Sequence, residues 1–398
     1  MRKGLGWRLD PAVTFLNHGS FGACPEPVLA SQHAWRDRME AEPVRFMDRV
    51  LPDALADARA RVAAFLAAEP AGLAFVSNTT TGVSTVLRSL QFEPGDEILT
   101  TDHEYNATLN ALQAMVDRDG VRVVVARIPI PIADAAEALE AIVGAVTRRT
   151  RLALISHITS PTALVLPIEE IVRALDARGV DTLVDAAHAP GMVPVDLDSL
   201  GAAYWTGNGH KWLCGPKGSA VLWARADRRE RIHPLVVSHG ANEPLEGRAR
   251  YRLEFDWTGT ADPTAALALA DAIDWMATLD PGGWPAVMAA NQALAITGRD
   301  VLAAALGVAP LAPDAMTGSM AALVLPGPTD DASAQVLQRA LYDSDGIQVP
   351  IIVWPVRAAR SPGDARAMRL VRISAQRYNE LADYERLAAL LPPRLAGE

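Results

Sequence analysis

The chain has 398 residues, 50% hydrophobic and 21% charged, a globular composition that excludes a mainly disordered protein. Its formal net charge of −10 argues against nucleic-acid binding, because counterion release needs clustered Lys and Arg. Two cysteines, Cys24 and Cys214, are too few for a disulfide framework or a cysteine-based zinc site, and no apolar run approaches the roughly 20 residues of a membrane helix.

The opening stretch MRKGLGWRLDPAVTFLN is basic but lacks the apolar segment of a signal peptide, so a soluble, cytoplasmic protein is expected. A long helix is predicted over 51–66. From about residue 70 to 225, short apolar runs alternate with amphipathic stretches. Strands are predicted over 73–77, 97–101, 121–128, 151–158, 180–187, 202–207 and 219–224, with helical patterns between them, for example 137–148 and 168–177. Unbroken β-branched strands alternating with helices read as a mostly parallel sheet covered on both faces. Residues 264–305 read as helical with a break at Asp280–Gly283. Apolar runs at 320–327, 346–355 and 368–375, closed by a helix over 379–391, predict a smaller α/β unit. The expected division is therefore an N-terminal segment (1–50) that contributes to the active site and the small domain, a large domain (51–280) and a small C-terminal domain (281–398).

In such sheets ligands bind beyond the carboxyl ends of the strands, so the polar residues just after each apolar run matter most. The strand over 73–77 runs into Asn78-Thr79-Thr80-Thr81-Gly82 and a helical pattern. Free N–H groups and the helix dipole make such a start an anion site, although plain capping by threonine has the same composition. The strand over 180–184 runs into Asp185-Ala186-Ala187-His188, and a carboxylate there is costly unless it meets a cation or several donors. The strand over 202–207 leads to Asn208-Gly209-His210-Lys211-Trp212. Lys211 is one of only three lysines, with Lys3 and Lys217, among 37 basic residues. In a chain that uses Arg for generic charge, a lysine between glycines and apolar neighbours is a candidate for imine chemistry that guanidinium cannot perform. The phosphate-binding loop of nucleotide triphosphatases and the dinucleotide fingerprint are both absent.

A phosphate cradle, a carboxylate and an amine in one strand-end crevice are what pyridoxal phosphate requires. The chain resembles the class V group of fold type I pyridoxal phosphate enzymes, and within it isopenicillin N epimerase-like proteins. The resemblance is carried by FLNHGSFG (15–22), EPVRFMDR (42–49), NTTTGV (78–83), DHEYNA (102–107), VDAAHAPG (184–191), GHKWLCGPKG (209–218), TGT (258–260) and RISAQRYN (372–379). It implies a large domain with a mostly parallel seven-stranded sheet, a smaller C-terminal α/β domain, and a homodimer with shared active sites. It further implies that Lys211 carries the cofactor as an imine and serves as acid/base, while Asp185 pairs with the ring nitrogen. His188 would reach the ring hydroxyl or ring plane. Thr79, Thr80, Asn208 and His210 match phosphate ligands, and Gly259 and Thr260 would reach the phosphate of the partner subunit. Arg372 matches the arginine that grips a substrate carboxylate. The residue stacking on the ring is either His103 or Tyr105, and the same residue would deliver a proton on the face opposite Lys211.

Other residues keep two readings. His157 either satisfies the core or touches the ring hydroxyl. Asn17, His18, Ser20 and Phe21 line the substrate mouth or merely form an N-terminal turn. Arg45 and Arg49 are surface charges or substrate ligands, Cys214 packs, and Lys217 is a turn residue or a phosphate guard. Cysteine desulfurases carry a nucleophilic cysteine before the carboxylate arginine, whereas 343–367 contains none, which disfavours persulfide chemistry. The resemblance thus implies action at Cα of an amino acid or its derivative through an external aldimine, with epimerisation first, β-eliminating carbon–sulfur cleavage second and transamination third. A fold that has lost catalysis and only binds is disfavoured, because Lys211, Asp185 and Arg372 are all present.

Overall fold

A computed structural model describes residues 6–360 and 363–397. Seven strands form one sheet in the order Leu73–Val76, Ala220–Ala224, Tyr204–Asn208, Asp181–Asp185, Thr150–Ser156, Glu97–Thr101 and Arg122–Ala126. Every pairing is parallel except the two made by Ala220–Ala224. The alternation of side chains along a strand explains why these runs are apolar throughout. Leu152, Leu154, Leu183, Tyr204 and Leu222 enter one core, while Ala153, Ile155, Val184, Trp205 and Val221 enter another. Both faces of the inner strands are thus dry, while Val125 on the edge strand Arg122–Ala126 is exposed.

All seven predicted strands form, most of them shorter than their apolar runs. The run over 121–128 yields only Arg122–Ala126, beside the cis Ile130–Pro131 bond. The helical stretch 264–305 is two helices, Thr264–Ala277 and Gly283–Leu306, broken at the expected turn. The run 346–355 splits into Ile347–Gln348 and Ile351–Trp354 around Pro350, because proline supplies no ladder donor. Met368–Ser374 is central in an antiparallel three-stranded sheet between Ile351–Trp354 and Met320–Leu325. The N-terminal segment does not stand apart: Thr14–Phe15 pairs in parallel with Ile347–Gln348, and Leu16 sits in the core of the C-terminal part. Among the described residues no helix is long and apolar enough to cross a membrane, and no cluster of His, Cys, Asp and Glu could hold a metal ion.

Candidate active site

The carboxyl ends of Glu97–Thr101, Thr150–Ser156, Asp181–Asp185 and Tyr204–Asn208 open on one side of the sheet, beside a crevice of about 590 Å³. Its first wall is the start of the helix Thr79–Ser89. Asn78 caps that helix, its Oδ1 accepting from Thr81 N–H at 2.8 Å. The Thr79 N–H donates to Asn208 Oδ1 at 3.0 Å, tying the helix to the neighbouring strand end. Gly82 permits this approach, since a Cβ there would lie 2.1 Å from Thr206 Oγ1. The Thr79 hydroxyl is buried without a partner, and Thr80, Asn208 and His210 line the same wall. A buried hydroxyl left unpaired costs free energy, so it marks a place where a ligand oxygen belongs.

Asp185 ends its strand and is buried. Its carboxylate accepts from Thr108 Oγ1 at 3.1 Å and from the Ala187 N–H at 3.1 Å. Burial raises its pKa; those two bonds and Lys211 act against the rise. Lys211 Nζ lies 3.2 Å from His188 Nε2. Burial, helped by the Arg372 charge, pushes the amine down to about 7, while Asp185 opposes the shift. An amine lowered in this way loses its proton more readily than a free lysine, and the uncharged form can attack a carbonyl.

Arg372, on the central strand of the small sheet, reaches the crevice from the far side. Its guanidinium donates to the Ser160 carbonyl, to Ser160 Oγ at 3.2 Å and to Ser20 Oγ at 3.2 Å. Its Nε is buried without a partner, and burial brings the group down to about 10. A buried cation held only by neutral oxygens is an open site for a carboxylate.

Several expected residues lie elsewhere. His103 does not line the crevice: its Nδ1 is 2.8 Å from Thr162 Oγ1, its Nε2 is 3.1 Å from the Ile128 carbonyl, and its ring packs on Trp354. Both nitrogens are engaged in the core, so the structure leaves only Tyr105 of that pair at the crevice, 48% exposed. His18 also misses the mouth. It sits under the lysine loop, with Nδ1 2.7 Å from Tyr378 Oη and Nε2 3.0 Å from the Lys211 carbonyl, and burial takes it down to about 3. Asn17 stands one layer back and accepts from Ser20 Oγ at 2.6 Å; Ser20 and Phe21 do line the crevice.

His157 lies just behind the wall, its backbone N–H on the Asp185 carbonyl and its Nδ1 buried without a partner. Gly259 and Thr260 are outside the crevice. Gly259 borders a separate groove with Thr258, Leu235 and Val236, and Thr260 is exposed. Lys217 donates to the Gly22 carbonyl at 2.7 Å, Arg45 and Arg49 are exposed, and Cys214 packs against His18 and Gln376. The sequence reading missed Ser160 and Thr108. Ser160 follows the apolar run 151–158, so inspecting strand ends two residues further would have found it; Thr108 lies inside a helix, and nothing local signals it.

The class-V aminotransferase family model matches residues 23–387. The chain is 36% identical to isopenicillin N epimerase of Streptomyces clavuligerus, over 98% of this chain and 96% of that protein. It is 37% identical to isopenicillin N epimerase of Amycolatopsis lactamdurans, over 96% and 95%. The chain belongs to the class-V aminotransferase family. A probable L-cysteine desulfhydrase, chloroplastic, of Arabidopsis thaliana is 32% identical over 95% of this chain and 82% of that protein. Among solved structures, a mutant of C-DES with glycine covalently linked to its PLP cofactor superposes with a TM-score of 0.79 at 23% identity, covering 96% of each chain. The cysteine desulfurase CsdA from Escherichia coli also gives 0.79, at 20% identity over 98% and 97%.

The family is one of pyridoxal phosphate-dependent enzymes, and the crevice fits that cofactor. The unpaired Thr79 hydroxyl at a helix start suits a phosphate, the buried Asp185 a cationic ring nitrogen, and the Lys211 amine, its hold on a proton weakened by burial, an aldehyde.

Proposed function

We propose that this enzyme acts at Cα of an amino acid or amino-acid derivative, and that it is an epimerase of the isopenicillin N epimerase type. The observation that carries the reading is the convergence of Lys211, Asp185 and Arg372 on one crevice beside the unpaired Thr79 hydroxyl. Pyridoxal phosphate, when bound, supplies an electron sink for the pair of electrons left at Cα. Thr79, Thr80, Asn208 and His210 would hold its phosphate at the helix start, and Asp185 would keep its ring nitrogen protonated. Arg372 grips the substrate carboxylate as a two-pronged fork, which orients the Cα–H bond towards Lys211. Lys211 removes that proton. Tyr105, which also lines the crevice, would return one to the opposite face and so invert the centre.

Supporting epimerisation are the two epimerase relatives at 36% and 37% identity over nearly the whole chain. The second reading, β-elimination from a cysteine derivative, is favoured by relatives named L-cysteine desulfhydrase at 32% and 33%. Sulfur transfer to a protein thiol is disfavoured, since neither Cys24 nor Cys214 lines the crevice. Incubation with L-amino acids in heavy water separates the two. Deuterium at Cα with loss of optical rotation is expected; pyruvate release from cysteine without it would replace epimerisation by elimination.

We also propose a homodimer with shared sites. Leu235, Val236 and Val237 are exposed, the last at 81%, beside the groove that holds Gly259, and an apolar ridge of that kind suits burial against a second copy.

A further inference from the structure

Trp212 follows Lys211 in the chain and is fully buried. Its Nε1–H donates to His188 Nδ1 at 3.3 Å, and His188 Nε2 lies 3.2 Å from Lys211 Nζ. An indole N–H can only donate, so the direction of the first bond is settled by chemistry. His188 Nδ1 must offer its lone pair there, and the proton of the neutral imidazole must sit on Nε2. The second bond then runs from Nε2–H to the lysine nitrogen, which can accept only as an uncharged amine.

We propose that Trp212 fixes His188 in the Nε2–H tautomer, making His188 a one-way donor that favours the uncharged, nucleophilic form of Lys211. Trp212 is a positioning residue, since it touches neither the amine nor the crevice. Protonating His188 would set two N–H donors against each other at Nδ1, so the ring stays neutral. Burial is the main force against a charged imidazole here, and Lys211, Arg372, His210 and His18 add to it. Asp185 pulls the other way on the amine, favouring its charged form. The Trp212–His188 pair offsets that pull, which lets one crevice hold both a carboxylate and a nucleophilic lysine.

The role given to the amine rests on the function proposed above, but the tautomer can be measured without it. Histidine labelled with nitrogen-15 in the full-length protein, with and without pyridoxal phosphate, reports which ring nitrogen carries the proton. His188→Gln identifies the relevant signals by their disappearance. Nε2–H alone is expected in both forms; an Nδ1–H or doubly protonated His188 overturns the proposal. Trp212→Phe keeps an aromatic ring and deletes the donor. It should release the tautomer and raise the pH midpoint for cofactor uptake by about one unit, roughly a tenfold loss of uptake rate below it. His188→Gln should leave that midpoint nearly unmoved, because a Gln carbonyl can accept from Trp212 while its amide N–H donates to Lys211. A Trp212→Phe protein with unchanged tautomer and midpoint also sinks the proposal. Should that variant not fold, the tautomer of the unaltered protein decides. Failure of the functional reading looks different: borohydride would then fix the cofactor to a residue other than Lys211, with the His188 tautomer as described.

Discussion

At the scale of single residues, the crevice is built from charges largely withdrawn from water. Lys211 has an amine that burial pushes down to about 7, and Arg372 is a buried cation whose partners are all neutral oxygens. Lys211→Ala should remove the visible band of the lysine-bound cofactor and lower turnover by about 1000-fold or more, with circular dichroism unchanged. A band that survives and is still trapped by borohydride would reject Lys211 as the attachment point. Arg372→Leu should raise KM for the amino acid about 100-fold, the worth of two charge-assisted hydrogen bonds, while cofactor affinity hardly moves. Equal loss of both would make Arg372 structural. His103 shows where local reading goes astray. The motif DHEYNA presents His103 and Tyr105 as equal candidates, yet Thr162, Ile128 and Trp354 draw the imidazole into the core, and none of these is near it in sequence.

At the scale of elements, the lysine loop is held from below by the N-terminal segment. His18 bonds the Lys211 carbonyl, Lys217 bonds the Gly22 carbonyl, and Gly22 lies against His210 and Lys211. Gly22 has a φ of +67°, and a Cβ there would fall 2.2 Å from the His210 carbonyl oxygen. That contact has no room to relax, because both partners are backbone. Gly22→Ala is expected to cost about 2–4 kcal/mol and to weaken cofactor uptake by displacing Lys211. Thermal melting and a cofactor titration check this together, and a variant with both unchanged would show that the loop is not braced here. The helix start at Thr79 was legible in the sequence, because a strand pattern, a cap residue and a helical pattern follow one another within a few positions. The bracing by residues 18–22 was not, because it joins segments almost 200 residues apart.

At the scale of the whole molecule, five of the eight histidines disfavour protonation, four of them buried and His210 half-buried: His18 stands at about 3, His157 and His210 at about 4, and His103 and His188 are lowered too. In the unfolded chain they take up protons near the ordinary value of 6.5. The unfolded state therefore binds more protons in acid, and stability is lost as pH falls from about 6.5 through 4, at about 1.4 kcal/mol per pH unit for each histidine. Glu104 works the other way. Burial pushes it up to about 8, so its contribution is full in acid and fades as pH rises towards that value. With five groups against this one and Asp185, the melting temperature of the cofactor-free protein should fall steeply as pH drops below about 6.5. A flat profile or a rise on acidification would contradict this assignment of neutral histidines. The proposed dimer makes a separate demand: light scattering should give twice the 42.5 kDa of the chain, and Val237→Asp should shift it towards the monomer.

What the sequence determined by itself was the sheet and the residues at its strand ends. Apolar runs of this length are dry on both faces when helices cover both sides of a mostly parallel sheet, and each run stops where a polar residue takes over. Thr79, Asp185, Asn208 and Lys211 are such residues, so a reader of the chain alone can bring them to one edge. What only the tertiary structure decided was which distant groups complete that edge. Arg372 meets Ser160 across 212 positions and Ser20 across 352, and His18 turns inward to the lysine loop instead of facing a substrate. Those meetings depend on how the small sheet and the N-terminal segment pack against the large one, and no periodicity along the chain encodes a contact between side chains so far apart.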